Sequence, residues 1–255
     1  MSIVFYSDNL VRNALITGST ENAQFPTSNI NDDRRTKVFR STSNSDNVVF
    51  DLGSIEDIDS VCLSPNWRDG YGFISLTVEA NGVDEWSSPA FTQVLTYDAK
   101  HGISITDFAS TQTYRFWRFV MTSSLGYCEL ANVFIGRKLD ISTNGIVEGL
   151  GYRNTELVKK STTEYGQEFY DLFGQRRELD NVRYESMNVT ELTQFMTVYD
   201  EMLTTKPFWV RFTNPNGALD TPWRYSGLYK FAQISKVTFA GGGFYAIPFA
   251  LSEQM

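Results

Sequence analysis

The chain has 255 residues, of which 42% are hydrophobic and 15% aromatic, and its formal net charge is −8 at neutral pH. That length suits two modest domains or one large all-β domain. The acidic excess is shared, with 16 acidic against 11 basic residues in 1–138 and 14 against 11 in 139–255, so neither half has the basic footprint that a nucleic-acid backbone or an anionic membrane surface demands.

The N-terminus, Met1-Ser2-Ile3-Val4-Phe5-Tyr6-Ser7-Asp8, holds a short apolar strand from Ile3 to Tyr6. It lacks the basic region and long apolar stretch of a signal peptide, and no apolar run approaches the ~20 residues of a membrane helix. Synthesis and folding in a cytoplasm, without membrane insertion, are expected. Residues 21–46 read as loop, because Pro26, Asn29, Asn31, Asp32, Asp33 and the run Ser41 to Asp46 break regular structure.

From 48 to 137 strands recur between turn signals at Asp69-Gly70, Asn81-Gly82, Ser87-Ser88-Pro89, His101-Gly102 and Leu125-Gly126. Short strands at such spacing predict a sandwich. Alternation over Phe73 to Glu79 places Ile74, Leu76 and Val78 on the core face. The stretch Tyr114 to Val120 is aromatic on both faces and reads as a central or covered strand. Cys62 and Cys128 sit in strand-like contexts and read as buried free thiols, with a disulfide between them as the alternative.

The pattern changes near Gly136 to Gly145. Residues 146–190 read as charged strands, and one helix follows at about 189–204. Asn188 is its N-cap, with Glu191 completing a capping box. Leu192, Phe195, Met196, Tyr199, Met202 and Leu203 form its apolar stripe, and Pro207 ends it. Strands return at 208–212, 228–231, 234–239 and 245–251. Asn214-Pro215-Asn216-Gly217 is a turn, and Gly241-Gly242-Gly243 a hairpin loop rather than a phosphate cradle, since no Lys-Ser/Thr follows.

Catalytic chemistry is sparse. The one histidine, His101, sits in a turn without a nucleophile motif, and one histidine with two distant cysteines makes no zinc pattern. The carboxylate groups Asp32-Asp33, Glu56-Asp57-Asp59, Asp84-Glu85 and Asp200-Glu201 read as solvated surface charges rather than a glycosidase pair. No enzyme activity and no cofactor are expected. The loop Asn66-Trp67-Arg68-Asp69-Gly70-Tyr71-Gly72 is the best sugar-site candidate. Trp67 and Tyr71 can stack on a pyranose while Asn66, Arg68 and Asp69 bond its hydroxyls. The other reading is a hairpin tip packed on a neighbouring loop or subunit.

Several of these segments, in this order, resemble the discoidin (coagulation-factor C-type) domain: Phe25 to Asp33, Val48-Val49-Phe50-Asp51-Leu52-Gly53, Ser60 to Leu63, Ile74 to Ala80 and Tyr114 to Val120. The resemblance covers roughly residues 20–137 and implies a galactose-binding-like jelly-roll β-sandwich. Some members of that family hold a structural calcium ion. Asn29, Asn31, Asp32 and Asp33 would be its oxygen ligands here, although Arg34, Arg35 and Phe39 follow where the family has a Gly-rich turn and a tryptophan. Ile3 to Leu10, the segments "FPTSNINDD" and "NVFIGRKLD", and the late run "PFWVRFTNP…YSGLYKF…YAIPFALSE" resemble tailed-bacteriophage tail-tip or baseplate (minor tail) proteins.

Together these readings give a mainly β protein. Residues 1–138 would form the jelly-roll sandwich and residues 139–255 a β-rich (α+β) tail-type domain with one amphipathic helix. The second resemblance implies a virion structural component at the tail tip. Such a protein would form a homo-oligomeric ring with other tail proteins, with a cell-surface glycan as a further contact. A carbohydrate-binding module or lectin without a tail role is the alternative.

Overall fold

The computed structural model describes residues 2–32, 37–64, 73–98, 102–141, 151–162, 168–213, 226–234 and 236–254. In chain order its strands are β1 (Ser2–Asn9), β2 (Leu15–Gly18), β3 (Phe39–Arg40), β4 (Ser45–Ser64), β5 (Phe73–Asn81), β6 (Phe91–Val94), β7 (Ser104–Ser123), β8 (Glu129–Leu130), β9 (Asn132–Asp140), β10 (Gly151–Thr162), β11 (Glu168–Met187), β12 (Phe208–Thr213), β13 (Gly227–Ile234), β14 (Thr238–Gly241) and β15 (Phe244–Glu253). Helix α1 (Val189–Met202) lies between β11 and β12. Among the described residues one antiparallel sheet runs in the order β10-β11-β15-β13-β12-β1-β9-β4-β7-β5-β6, with β14 on β15, β2 on β4, and β3 paired separately with β8.

The jelly roll is built from one ribbon folded over on itself. Strands β4 and β7 are 20 residues each and pair from Ser45↔Thr122 to Leu63↔Ser104, with register breaks at Asp51/Glu56 and Ile58/Ser60. Phe108 and Trp117 lie nine positions apart on β7, about 30 Å in an extended strand. Yet their rings stack with centroids 5.7 Å apart, so the strand must double back between them. The matching bend in β4 falls just after the "FDLG" segment. Gly53 there has φ +83, and its N–H donates to Asp51 Oδ1 at 2.8 Å, an Asx-type turn that only glycine makes without strain.

One layer of the sandwich is then β2, the first half of β4, the second half of β7, β5 and β6. The other is β1, β9, the second half of β4 and the first half of β7. Val48, Phe50, Val61, Leu63, Leu76, Val78, Trp117 and Phe119 meet in one core between them. This is a two-layered antiparallel β-sandwich of jelly-roll type, in a chain that is mainly β.

The second core gathers Leu179, Val182, Phe208, Val210, Phe231, Phe249 and the helix residues Phe195, Val198 and Met202. The helix begins on the expected capping box: Glu191 N–H donates to Asn188 Oδ1 at 2.9 Å and Asn188 N–H to Glu191 Oε2 at 2.8 Å. It stops at Met202, earlier than Pro207 would enforce, because Leu203 takes φ +48 and turns outward. The buried stripe therefore includes Val198 and leaves out Leu203.

Strand β1 serves the second core with one face and a third cluster with the other. It lies between β9 and β12, pairing Phe5 with Leu139 on one edge and with Val210 on the other. Ile3 and Phe5 point into the second core, where the Phe5 ring lies 6.0 Å from Phe195 and 5.9 Å from Phe208. Val4 and Tyr6 point the other way into a third cluster with Cys62, Ile105, Phe134, Trp209 and Leu228. On β9, Val133 and Ile135 serve the jelly-roll core while Leu139 packs on the second, so the changeover falls inside that strand.

Three further readings meet the structure directly. Ile74 is 70% exposed, contrary to its expected core position. A register break between Phe73 and Ser75 inserts it as an extra residue, and a bulge of that kind turns a side chain to the other face. Cys62 and Cys128 are free, buried and in different cores, as expected of thiols rather than a disulfide. Gly241 to Gly243 all have positive φ at the β14–β15 turn, which makes that segment the expected hairpin loop. The turn at 214–217 lies outside the described residues.

Three substitutions test this packing in urea melts. A Cβ on Gly136 would stand 2.1 Å from the Asp8 carbonyl oxygen, so Gly136→Ala should separate β1 from β9 and rank among the most destabilising single changes in the chain. Phe195→Ala should cost about 3–5 kcal/mol, while Gln194→Ala, on the exposed face, should stay within about 0.5 kcal/mol. Equal effects at 194 and 195 would contradict the helix placement.

Candidate functional site

The connections at one end of the sandwich converge on a short pairing. Strands β3 and β8 match Phe39 with Leu130 and Arg40 with Glu129. Ser41 N–H donates to the Cys128 carbonyl at 3.0 Å and Cys128 N–H to the Ser43 carbonyl at 3.0 Å. This lattice fixes Arg40 in place. Its guanidinium carbon lies 4.3 Å from the Phe25 ring centroid and 4.8 Å from that of Tyr127. Its Nε donates to Glu129 Oε2 at 2.6 Å. Glu129 is buried, whereas Phe25 and Tyr127 are only half-buried. The result is a cation within cation–π distance of two aromatic rings that still meet solvent.

Strands β4 and β5 begin or end at the same end of the sandwich, at Ser64 and Phe73. Phe73 packs edge-on against Tyr97 with centroids 5.1 Å apart. The segment joining them carries Asn66, Trp67, Arg68, Asp69 and Tyr71, and those residues lie outside the described residues, as do His101 and Asp33. Of the calcium candidates, Asn31 is exposed, and the Asp32 carbonyl accepts a hydrogen bond from Asn132 Nδ2 at 3.1 Å. Asn29 Nδ2 donates to the Val38 carbonyl at 2.8 Å. Among the described residues no group of three or more His, Cys, Asp or Glu side chains could hold a metal ion.

A second charged grouping ties the two cores together. Asp107 accepts from the Tyr6 hydroxyl at 3.0 Å, from Ser60 Oγ at 3.3 Å, from Lys138 Nζ at 2.9 Å and from Arg211 Nη2. Tyr6 lies on β1, Lys138 on β9 and Arg211 on β12, so one carboxylate binds strands from both flanks of the sheet. Burial acts to raise its pKa. Arg211 and then Lys138 outweigh that and leave the carboxyl below its ordinary 3.8. The same burial pushes the Tyr6 hydroxyl and the Cys62 thiol well above their ordinary values.

At the far end of the sandwich, Arg115 grips Asp51 with two hydrogen bonds of 2.6 and 2.7 Å and lies 4.8 Å from the Phe116 ring. Arg118 pairs with Glu79 beneath Trp86, 4.4 Å from its ring. These pairs lock the outer sheet face.

The arginine between two aromatics was not legible in the sequence. Phe25, Arg40, Tyr127 and Glu129 span more than a hundred positions, and only the β3–β8 pairing brings them together. No local motif announces it, although Phe25 does open the "FPTSNINDD" segment.

No protein-family model matches the sequence, and no curated protein matches it. Among solved structures, the chain is similar to the family 32 carbohydrate-binding module of NanJ from C. perfringens, in complex with galactose. There the identity is 13%, the TM-score 0.43, and the match covers 52% of this chain and 98% of that one. It is also similar to the lectin domain of lectinolysin complexed with Lewis B antigen (14%, TM-score 0.43, 51% and 97%). A third is a Streptococcus pneumoniae fucose-binding module (14%, TM-score 0.43, 51% and 94%).

Asp107→Asn keeps the shape but removes the charge facing Arg211 and Lys138. It should destabilise the protein by about 1–3 kcal/mol at neutral pH. Because the folded carboxyl lies below the unfolded value, the wild-type advantage is fully present above pH 3.8 and fades as pH falls through the folded value. Melts of both proteins from pH 7 to pH 2.5 check this. A gap that widens on acidification would contradict the assignment.

Proposed function

We propose that the protein is a non-catalytic binding protein whose jelly roll engages a carbohydrate at the β3–β8 end. The observation that carries this reading is Arg40, 4.3 and 4.8 Å from the Phe25 and Tyr127 ring centroids and ion-paired to the buried Glu129. Aromatic faces accept the apolar side of a pyranose, and a cation held by an ion pair presents fixed donors to hydroxyls without a further ordering cost. The loop with Asn66, Trp67, Arg68, Asp69 and Tyr71 continues from the same end, at Ser64 and Phe73, and would extend such a site. The division of labour we infer follows the cores, with residues 1–138 carrying the ligand and residues 139–255 carrying assembly.

The second reading, a structural component of a phage tail tip or baseplate, is favoured by the way the sheet ends. β10 is a 12-residue strand at one limit of the sheet order, and an unpaired edge of that length is a template for strand addition from another chain. The β14–β15 hairpin, on the other side of β11 from β10, exposes Phe239 by 67% and Phe244 by 41%. In that setting the chain would sit in a virion as a homo-oligomer beside other tail proteins, and the glycan site would face outward. The two readings are compatible, since a tail-tip ring can present a lectin module.

Calorimetric titration of the full chain with a panel of mono- and oligosaccharides tests the first reading. Saturable binding in the micromolar-to-millimolar range is expected (about −8 to −4 kcal/mol), weakened about tenfold or more by Tyr127→Ala with the fold intact. Absence of binding across the panel at millimolar sugar would refute the carbohydrate reading. For the second, sedimentation of the purified chain should show a concentration-dependent oligomer that Phe239→Lys weakens. A monomer at all concentrations that is also missing from purified particles would refute it.

A further inference from the structure

Past the last β11–β15 pair, strands β10 and β11 run on as a two-stranded ribbon. β10 pairs with β11 from Gly151↔Asp180 to Thr162↔Glu168, whereas β15 accompanies β11 only from Glu178 to Met187. Among the described residues, the stretch of β10 from Asn154 to Thr162 and its β11 partners therefore have no third strand, over about 30 Å of extended chain. A lone hairpin is marginal in water and needs a third strand or a packed face. The ribbon sequence includes Leu157, Val158, Phe169, Tyr170, Leu172 and Phe173, an apolar load that calls for cover. The other limit of the sheet, β6, is four residues long and cannot match the 12 residues of β10. A second β10 matches it in length.

The sequence of β10 then decides the register. Directly opposed residues of an antiparallel pair lie on one face, so a strand meeting its own copy opposes only residues an even number of positions apart. The charged residues of β10 are Arg153, Glu156, Lys159 and Lys160. Of the opposite-charge combinations, Glu156 with Lys160 alone meets that condition. The register it demands centres on Val158, which then opposes itself, and two-fold symmetry forms the charge pair twice. Centring on Glu156 or Lys159 would oppose like charges, and centring on Leu157 would oppose none. Across the ribbon within one chain, the positions opposite Glu156 and Lys160 are Gln175 and Tyr170, so neither charge has its counterpart there in register. We propose that β10 pairs antiparallel with β10 of a second copy of this chain, centred on Val158, with Glu156 opposite Lys160 of the partner subunit on each side. The inference rests on the oligomeric reading above and names its contact.

The test is oxidative cross-linking and sedimentation of the full chain. Val158→Cys should give a disulfide-linked dimer with oxidised glutathione, because self-opposed residues lie about 4.5–5.5 Å apart between Cα atoms, within disulfide reach. Thr155→Cys, which would oppose Ser161 of the partner subunit rather than itself, should cross-link about tenfold more slowly or less. Cys62 and Cys128 are buried, so the wild type should stay uncross-linked. In sedimentation, Lys160→Glu and Glu156→Lys should each weaken the dimer about tenfold or more, since each turns two attractive pairs into two repulsive ones. The two changes together should restore it to within about threefold. An oligomer that is indifferent to Lys160→Glu, or that cross-links equally through Val158→Cys and Thr155→Cys, would overturn this contact and leave the oligomeric reading standing. A chain that is monomeric at all concentrations would overturn both.

Discussion

Ile3, Val4, Phe5 and Tyr6 are all buried, so β1 presents apolar side chains on both faces and must be paired on both edges. A strand covered on both faces reads as a continuous apolar run, and four such residues beside the terminus can be satisfied only in the middle of a sheet. The structure meets that demand by placing β1 between β9 and β12. Everything else is arranged around that choice. One face of β1 completes the core beneath the helix, the other completes the seam with Cys62 and Phe134, and the two flanks of the sheet are joined through its hydrogen bonds. Gly136 is the local condition for this, since any side chain there would strike the Asp8 carbonyl.

The seam is polar where it reaches solvent. Asp107 sits within reach of Tyr6, Lys138 and Arg211, and that geometry fixes how the flanks register more than it adds stability, because desolvating charges offsets much of their attraction. The seam also shapes a small cavity from residues that neither flank holds alone, Tyr6 and Asn132 from one and Pro207 and Trp209 from the other. The buried pair Arg177–Glu253, bonded at 2.6 and 2.9 Å between β11 and β15, does similar ordering work on the other flank, where Gly227 makes room for the guanidinium.

Much of the fold was legible because its signals are local. The capping box at Asn188 and Glu191, the alternation over Leu76 and Val78, the glycine turn before β15 and the aromatic strand at Trp117 each declare themselves within a few residues. What was illegible depends on pairing at long range. The apolar run at Ile3 to Tyr6 reads as a strand of the first domain, and nothing in it tells that it also serves the second core. The doubling back of β4 and β7 rests on register breaks that sequence does not mark, and one such break turned Ile74 outward. The site divides in the same way. The Trp67–Tyr71 loop is conspicuous as a run of aromatics and polar residues, whereas Phe25, Arg40, Tyr127 and Glu129 become a site only once β3 pairs with β8.

Native-state hydrogen exchange at the amides of Phe5 and Tyr6 tests most directly whether β1 unites the molecule. If it does, these amides exchange only through global unfolding, with the same opening free energy as core amides on either flank, such as Phe119 in β7 and Phe231 in β13. Denaturant should then lower all of them together. Fast exchange at Phe5 and Tyr6, while Phe119 and Phe231 remain protected, would contradict the account, because both flanks would then stand without the strand that is held to join them.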